Sequence, residues 1–181
     1  LPYFGLALGE ADYVNAVVGK PETHAKLADG QISYSKGGFA HLVRTETDMP
    51  FRNFTIELRK PQGAPRNRCA KVIADGALDC PPSPPGAMTP AIETDEVVLR
   101  TGAVVSAARM DSGDAQLARL IAVLESSELN VEIAGQPAKT LHAGQAAWVP
   151  AGAAAVLANS GHGNARFVLL SFKDSGAAAA K

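Results

Sequence analysis

Gly30-Gln31 and Gly144-Gln145 open two stretches that match without a gap, and this internal repeat constrains the fold more than any single motif. At the same spacing of 114 residues Gly38 falls on Gly152, Arg52 on Arg166, Tyr34 on Trp148, and the run Phe51 to Arg59 on Ala165 to Lys173. Upstream, after a shift of two residues, Gly19-Lys20-Pro21 falls on Gly135-Gln136-Pro137 and Leu8 on Leu124. A chain built in this way uses one structural unit twice, so each element must read the same in both copies. That requirement decides the one ambiguous stretch. Asp114 to Glu125 places Leu117, Leu120, Ile121 and Leu124 at helical spacing, yet its counterpart, Leu1 to Gly9, carries Pro2, Gly5 and Gly9, which disfavour a helix. Both are read as strands.

The remaining pattern agrees. Apolar or β-branched runs from Tyr13 to Val18, Asn53 to Leu58, Glu96 to Leu99, Leu129 to Ile133 and Phe167 to Phe172 are cut by Gly, Asn and Pro, and no long amphipathic helix stands out. Phe54, Ile56 and Leu58 alternate with Asn53, Thr55 and Glu57, as a strand with one more polar face requires. The class predicted is all-β, a sandwich or barrel. Between the copies Pro61, Pro65, Pro81, Pro82, Pro84, Pro85 and Pro90 mark a connector that cannot continue a helix or a central strand. The organisation expected is a first module over 1–60, the connector over 61–91, a second module over 92–173 and an Ala-rich tail over 174–181.

Charge excludes two partner classes. With Lys+Arg 17 against Asp+Glu 18 the net charge is -1, leaving no electrostatic footprint for nucleic acid or an anionic membrane. The stretch from Thr140 to Ala165 lacks Lys, Arg, Asp and Glu, but Pro150, several glycines, Gln145, Asn159 and two histidines make it no membrane helix. Cys69 and Cys80 are the only cysteines, and both lie in the connector on either side of an Asp75-Gly76 turn signal. Paired, they would close a loop of about a dozen residues, stabilise by about 3 kcal/mol in the chain-entropy model and imply a periplasmic or secreted protein. The alternative is two unrelated buried thiols. The chain opens at Leu1, and any targeting segment is expected to have been removed or left out.

The second copy reads Gly144-Gln145-Ala146-Ala147-Trp148-Val149-Pro150-Ala151-Gly152, then Ala155 and Asn159. It resembles the second motif of the cupin superfamily, in which Gly144, Pro150, Gly152 and Asn159 fall in place. By the repeat, Gly38, His41 and Thr45 resemble the same motif in the first copy. The resemblance implies two cupin-like antiparallel β-barrel or jelly-roll modules, the first N-terminally incomplete because the strands matching Glu96 to Val105 would precede Leu1. Metal-dependent cupins draw His-x-His and a Glu from a first motif and a His from the second. Here Ala108, Met110 and Ala155 stand at the histidine positions and Asp114 near the Glu position, so the resemblance implies no metal and no cofactor in the second copy.

His41 keeps the motif position of a metal ligand or general base, or is a structural histidine. Asn53, Thr55 and Glu57 share one strand face, which either enters the cavity beside His41 or faces solvent. Tyr34 and Trp148 would stack on a ligand or fill a barrel layer. His24, His142 and His162 are expected in solvated turns. Asp111-Ser112-Gly113-Asp114 lacks the remaining ligands of a calcium loop, and no nucleophile elbow, P-loop or dinucleotide fingerprint occurs.

Two functions compete. One is a secreted, metal-free protein that binds a small organic molecule or is structural, with His41, Tyr34, Asn53, Thr55 and Glu57 as ligand-binding candidates. The other is a metal-dependent oxygenase or isomerase whose site around His41 is completed by residues before Leu1. A metal-free epimerase with His41 as base is weaker, since nothing marks its acid partner. An incomplete first barrel leaves an open sheet edge, which predicts a homodimer.

Overall fold

The computed structural model describes residues 1–59, 66–74, 92–107, 116–124 and 127–172. The chain is all-β and divides into two compact units, Leu1–Pro61 and Gln62–Lys181. The first unit holds β1 (Tyr3–Ala7), β2 (Ala11–Val17), β3 (Thr23–Leu27), β4 (Ile32–Ser35), β5 (His41–Thr45) and β6 (Asn53–Glu57). They form two three-stranded antiparallel sheets, ordered β4-β1-β6 and β3-β2-β5.

The second unit holds β7 (Arg66–Ala74), β8 (Ile92–Leu99), β9 (Val104–Ser106), β10 (Ala118–Val123), β11 (Glu128–Ile133), β12 (Lys139–His142), β13 (Ala146–Val149), β14 (Ala155–Ala158) and β15 (Ala165–Phe172). Its sheets are ordered β13-β10-β15-β8-β7 and β12-β11-β14-β9. Asp114 to Glu125 therefore contains the strand β10 where the helical spacing competed. One expectation needs correcting: the Pro-rich stretch is not only a connector, because β7 lies within it and pairs parallel to β8 at a sheet edge. The prolines stop at Pro65 and resume at Pro81, which frees the intervening backbone to donate to a ladder.

The sequence repeat reappears as geometry. Leu6 pairs with Ile32 and Phe54 in the first unit, as Ala122 pairs with Ala146 and Val168 in the second. The same turns need the same left-handed residues, with φ of 78° and 79° at Gly19 and Gly135, 80° and 75° at Gly30 and Gly144, and 80° and 78° at Gly38 and Gly152. Gln31 Oε1 accepts from the Ala28 N–H at 3.1 Å, as Gln145 Oε1 accepts from the His142 N–H at 3.0 Å. What differs is completeness: β8 beside β15 and β9 beside β14 have no counterpart among the described residues of the first unit, whose sheets end at β6 and β5.

The second barrel is filled. Ile121, Val123, Leu129, Val131, Ala147, Val149, Ala155, Leu157, Phe167 and Leu169 belong to one buried apolar cluster, each fully buried aliphatic side chain contributing about 1.5–3 kcal/mol. Asn159 ties the barrel end together. Its Nδ2 donates to the carbonyls of Leu99 and Gly163, both at 2.8 Å, and its Oδ1 accepts from the Gly161 N–H at 3.0 Å.

Candidate functional site

In the first unit the same inward phase of the strands lines a cavity of about 450 Å³. From β1 come Tyr3, Gly5 and Ala7, and from β2 Tyr13 and Asn15. Ser33 and Ser35 come from β4, His41 and Val43 from β5, and Asn53, Thr55 and Glu57 from β6. Strand alternation explains the set, since successive residues point to opposite faces. Phe4 and Leu6, one step out of phase, are buried at 2% and 1% exposure, while His41, Asn53, Thr55 and Glu57 are exposed on the inner surface.

Equivalent positions in the two barrels have opposite character. Asn15 stands where the second unit has Val131, Ser33 where it has Ala147, and Ser35 where it has Val149. His41 corresponds to Ala155, Asn53 to Phe167, Thr55 to Leu169 and Glu57 to Ser171. Large apolar side chains close the second interior. Smaller or polar ones leave the first open.

Within the cavity His41 Nδ1 lies 2.8 Å from Asn15 Oδ1 across the β2–β5 ladder. Phe39 meets the imidazole at a centroid distance of 5.2 Å and an interplanar angle of 90°. Asn53 Nδ2 donates to Thr55 Oγ1 at 3.2 Å, and the Tyr13 and Phe51 rings lie 5.1 Å apart at 33°. The wall thus combines an imidazole, a carboxylate, amides, hydroxyls and aromatic surface. Such a mixture can hold a small molecule and orient it.

Four of the sequence candidates, His41, Asn53, Thr55 and Glu57, are brought together here. Tyr34 is not. It sits between Ser33 and Ser35 on β4 with its side chain on the opposite face, 5.4 Å from Phe4. Trp148, its counterpart, is likewise outside its barrel and pairs with Phe172 at 5.4 Å. Asn15, Ser33, Ser35 and Tyr13 were missed. A polar residue of the first copy opposite an apolar one of the second was the available signal. His24 and His142 lie on strands, not in turns, where His24 Nδ1 is 3.0 Å from Glu46 and His142 Nδ1 is 3.1 Å from Glu128. Ala108, Met110, Asp114 and Cys80, and the side chain of Cys69, lie outside the described residues.

The donor set does not fit the divalent metal of metal-dependent cupins. Only His41 and Glu57 among the lining residues are customary ligands, and no group of three or more His, Cys, Asp or Glu converges among the described residues. A second depression, of about 590 Å³, is lined by Glu10, Asp12, Lys26 and Met49 among others, and the Lys26–Asp12 ion pair at 3.2 Å sets its lysine against one of its two carboxylates. On the outer face of β5, Arg44 makes a two-pronged contact with Glu22 at 2.8 and 2.7 Å, which holds the Glu22 carboxyl below its ordinary range and Arg44 above its own.

No family model and no curated protein matches this chain. Among solved structures it is similar to AerE from Microcystis aeruginosa, with a TM-score of 0.62 and 11% identity over 94% of this chain and 77% of the other. Shorter likenesses include the Cupin_2 domain of an XRE family transcriptional regulator from Enterobacter cloacae (TM-score 0.39, 20% identity, 45% of this chain and 81% of that one). Another is DMSP lyase DddQ from Ruegeria pomeroyi (TM-score 0.39, 14% identity, 49% of this chain and 41% of that one). At these identities likeness concerns fold alone. The all-β jelly-roll fold expected from the resemblance at Gly144, Pro150, Gly152 and Asn159 is the fold observed.

Proposed function

We propose that this chain is an exported, metal-free cupin-type protein whose first barrel binds a small organic molecule and whose second barrel is structural. One observation carries the reading: the inward positions that close the second barrel with Val131, Ala155, Phe167 and Leu169 hold Asn15, His41, Asn53 and Thr55 in the first. A barrel kept only for stability gains from apolar filling, and the same fold already uses that filling in its second copy. Polar groups facing a cavity of about 450 Å³ are instead what ligand recognition requires. Two customary donors, His41 and Glu57, support the metal-free part of the proposal, since a catalytic ion needs three or four. Export rests on Cys69 and Cys80 in one short stretch.

The test is a protein-observed NMR screen of cyclic alcohols, cyclic amines and their carboxylate and phosphate analogues, matched in ring size. Hits should shift the resonances of His41 and Thr55 and should vanish in the Asn53→Phe, Thr55→Leu variant. A screen without such hits would sink the binding role. Elemental analysis finding about one transition-metal ion per purified chain would remove the metal-free description.

A further inference from the structure

The contact between Asn15 and His41 fixes more than a side-chain position. An amide oxygen can only accept, so at 2.8 Å from Asn15 Oδ1 the His41 Nδ1 must carry the proton and donate it. In the neutral ring Nε2 then keeps its lone pair. Phe39, edge-on to the imidazole, is a second contact that limits rotation of the ring plane. Neither partner of this pair exists in the second unit, where Val131 and Ala155 hold the same places.

Two further groups of the wall, Asn53 and Glu57, point the same way. Asn53 gives an amide hydrogen to Thr55, which leaves its side-chain oxygen as an acceptor. Glu57 adds a carboxylate, an acceptor when ionised. Among the described residues no lysine or arginine lines the cavity, so a carboxylate or phosphate entering it would meet Glu57 without a neutralising cation from them. The tilted Tyr13 and Phe51 pair supplies apolar surface for a ring face.

On the binding reading above, we infer that the first barrel selects a neutral or cationic ring compound rich in O–H or N–H donors. His41 Nε2 accepts one of those donors, and Asn15 is the positioning residue that holds His41 in the Nδ1–H form.

Long-range proton–nitrogen NMR reads the tautomer directly, with the His41 signals identified by their loss in His41→Ala. The Nδ1–H form is expected in the unsubstituted chain. Asn15→Val, the residue the second unit uses at this place, should convert His41 to predominantly Nε2–H, and Asn15→Asp should restore Nδ1–H. A dominant Nε2–H form in the unsubstituted protein overturns the assignment. The ligand class is read from the same matched library. Alcohols and amines should shift the His41 and Thr55 signals at concentrations at least about tenfold below those needed by the carboxylate and phosphate analogues, about 1.4 kcal/mol. Anions binding equally well or better overturn the class while leaving the binding role standing. A screen with no hits removes the binding role, and the tautomer measurement still judges the Asn15–His41 pair.

Discussion

His41 and Ala155 occupy the same place in two copies of one barrel, the first exposed in a cavity beside Asn15 and the second 3% exposed within an apolar cluster. The β2–β5 and β11–β14 ladders match at these places, Val17 facing His41 and Ile133 facing Ala155. The difference between an open interior and a filled one is thus made by side chains on a shared backbone plan.

Exchanging those side chains should exchange the interiors. The variant Asn15→Val, His41→Ala, Asn53→Phe, Thr55→Leu is expected to stabilise the first unit by about 1–3 kcal/mol, less than four fully buried groups would contribute because positions 41, 53 and 55 are exposed. It should also abolish hits in the ligand screen. Denaturant unfolding and the screen together check this, and equal ligand binding by both proteins would refute the cavity as the site. Ala155→His, the converse change, should destabilise the second unit by about 2 kcal/mol or more by overpacking and by burying an unpartnered ring.

Asn159→Ala should cost about 1–3 kcal/mol, since it removes three hydrogen bonds and leaves the buried Leu99 carbonyl without its donor. Thr45→Ala, at the matching place beside the open edge of the first unit, should stay within about 0.5 kcal/mol. Hydrogen exchange of the β8 and β15 amides distinguishes the two. Similar protection loss in both variants would contradict the asymmetry.

Glu22 and Arg44 give a pH signature of known sign. The hydrogen bonds from Arg44 lower the Glu22 pKa in the folded chain. Their stabilisation is therefore fully present above the unfolded value of about 4.3 and is lost as pH falls through the lower folded value. Both groups are exposed, so the effect is small and screened by salt. The Tm of Glu22→Gln should lie slightly below that of the unsubstituted chain at pH 7 and converge with it once the pH has fallen below the lowered folded value. A gap that widens on acidification would exclude this pair as its source.

We expect Cys69 and Cys80 to be bonded to each other in the purified protein, with a loss of about 3 kcal/mol on reduction. Intact mass after alkylation in denaturant, with and without reduction, provides the check. Two thiols alkylated without reductant would remove both the bond and the argument for export.

Among the described residues the first unit ends its sheets at β6 and β5, where the second continues with β8 and β9. Unpaired strand edges are normally covered, and a two-fold dimer through the first unit is the expected cover. Sedimentation equilibrium at micromolar concentration should give twice 18.7 kDa. The monomer mass alone would count against it.

By itself the sequence determined the barrel fold. Gly19, Gly30 and Gly38 recur as Gly135, Gly144 and Gly152, all with positive φ, because the same turns demand backbone that only glycine adopts without strain. Asn53, Thr55 and Glu57 were legible as one face, because strand alternation is a local property. Their direction was not legible. A polar strand face reads alike whether it meets bulk water or a cavity, and only the ladders from β1 to β4 and β6 and from β2 to β5 turn it inward beside His41. Tyr34 was misplaced for the same reason, since the phase of β4 sends Ser33 and Ser35 inside and Tyr34 out. Asn15 lines the cavity from β2, and its bond to His41, twenty-six residues away in the chain, is a contact whose range strand pairing alone creates.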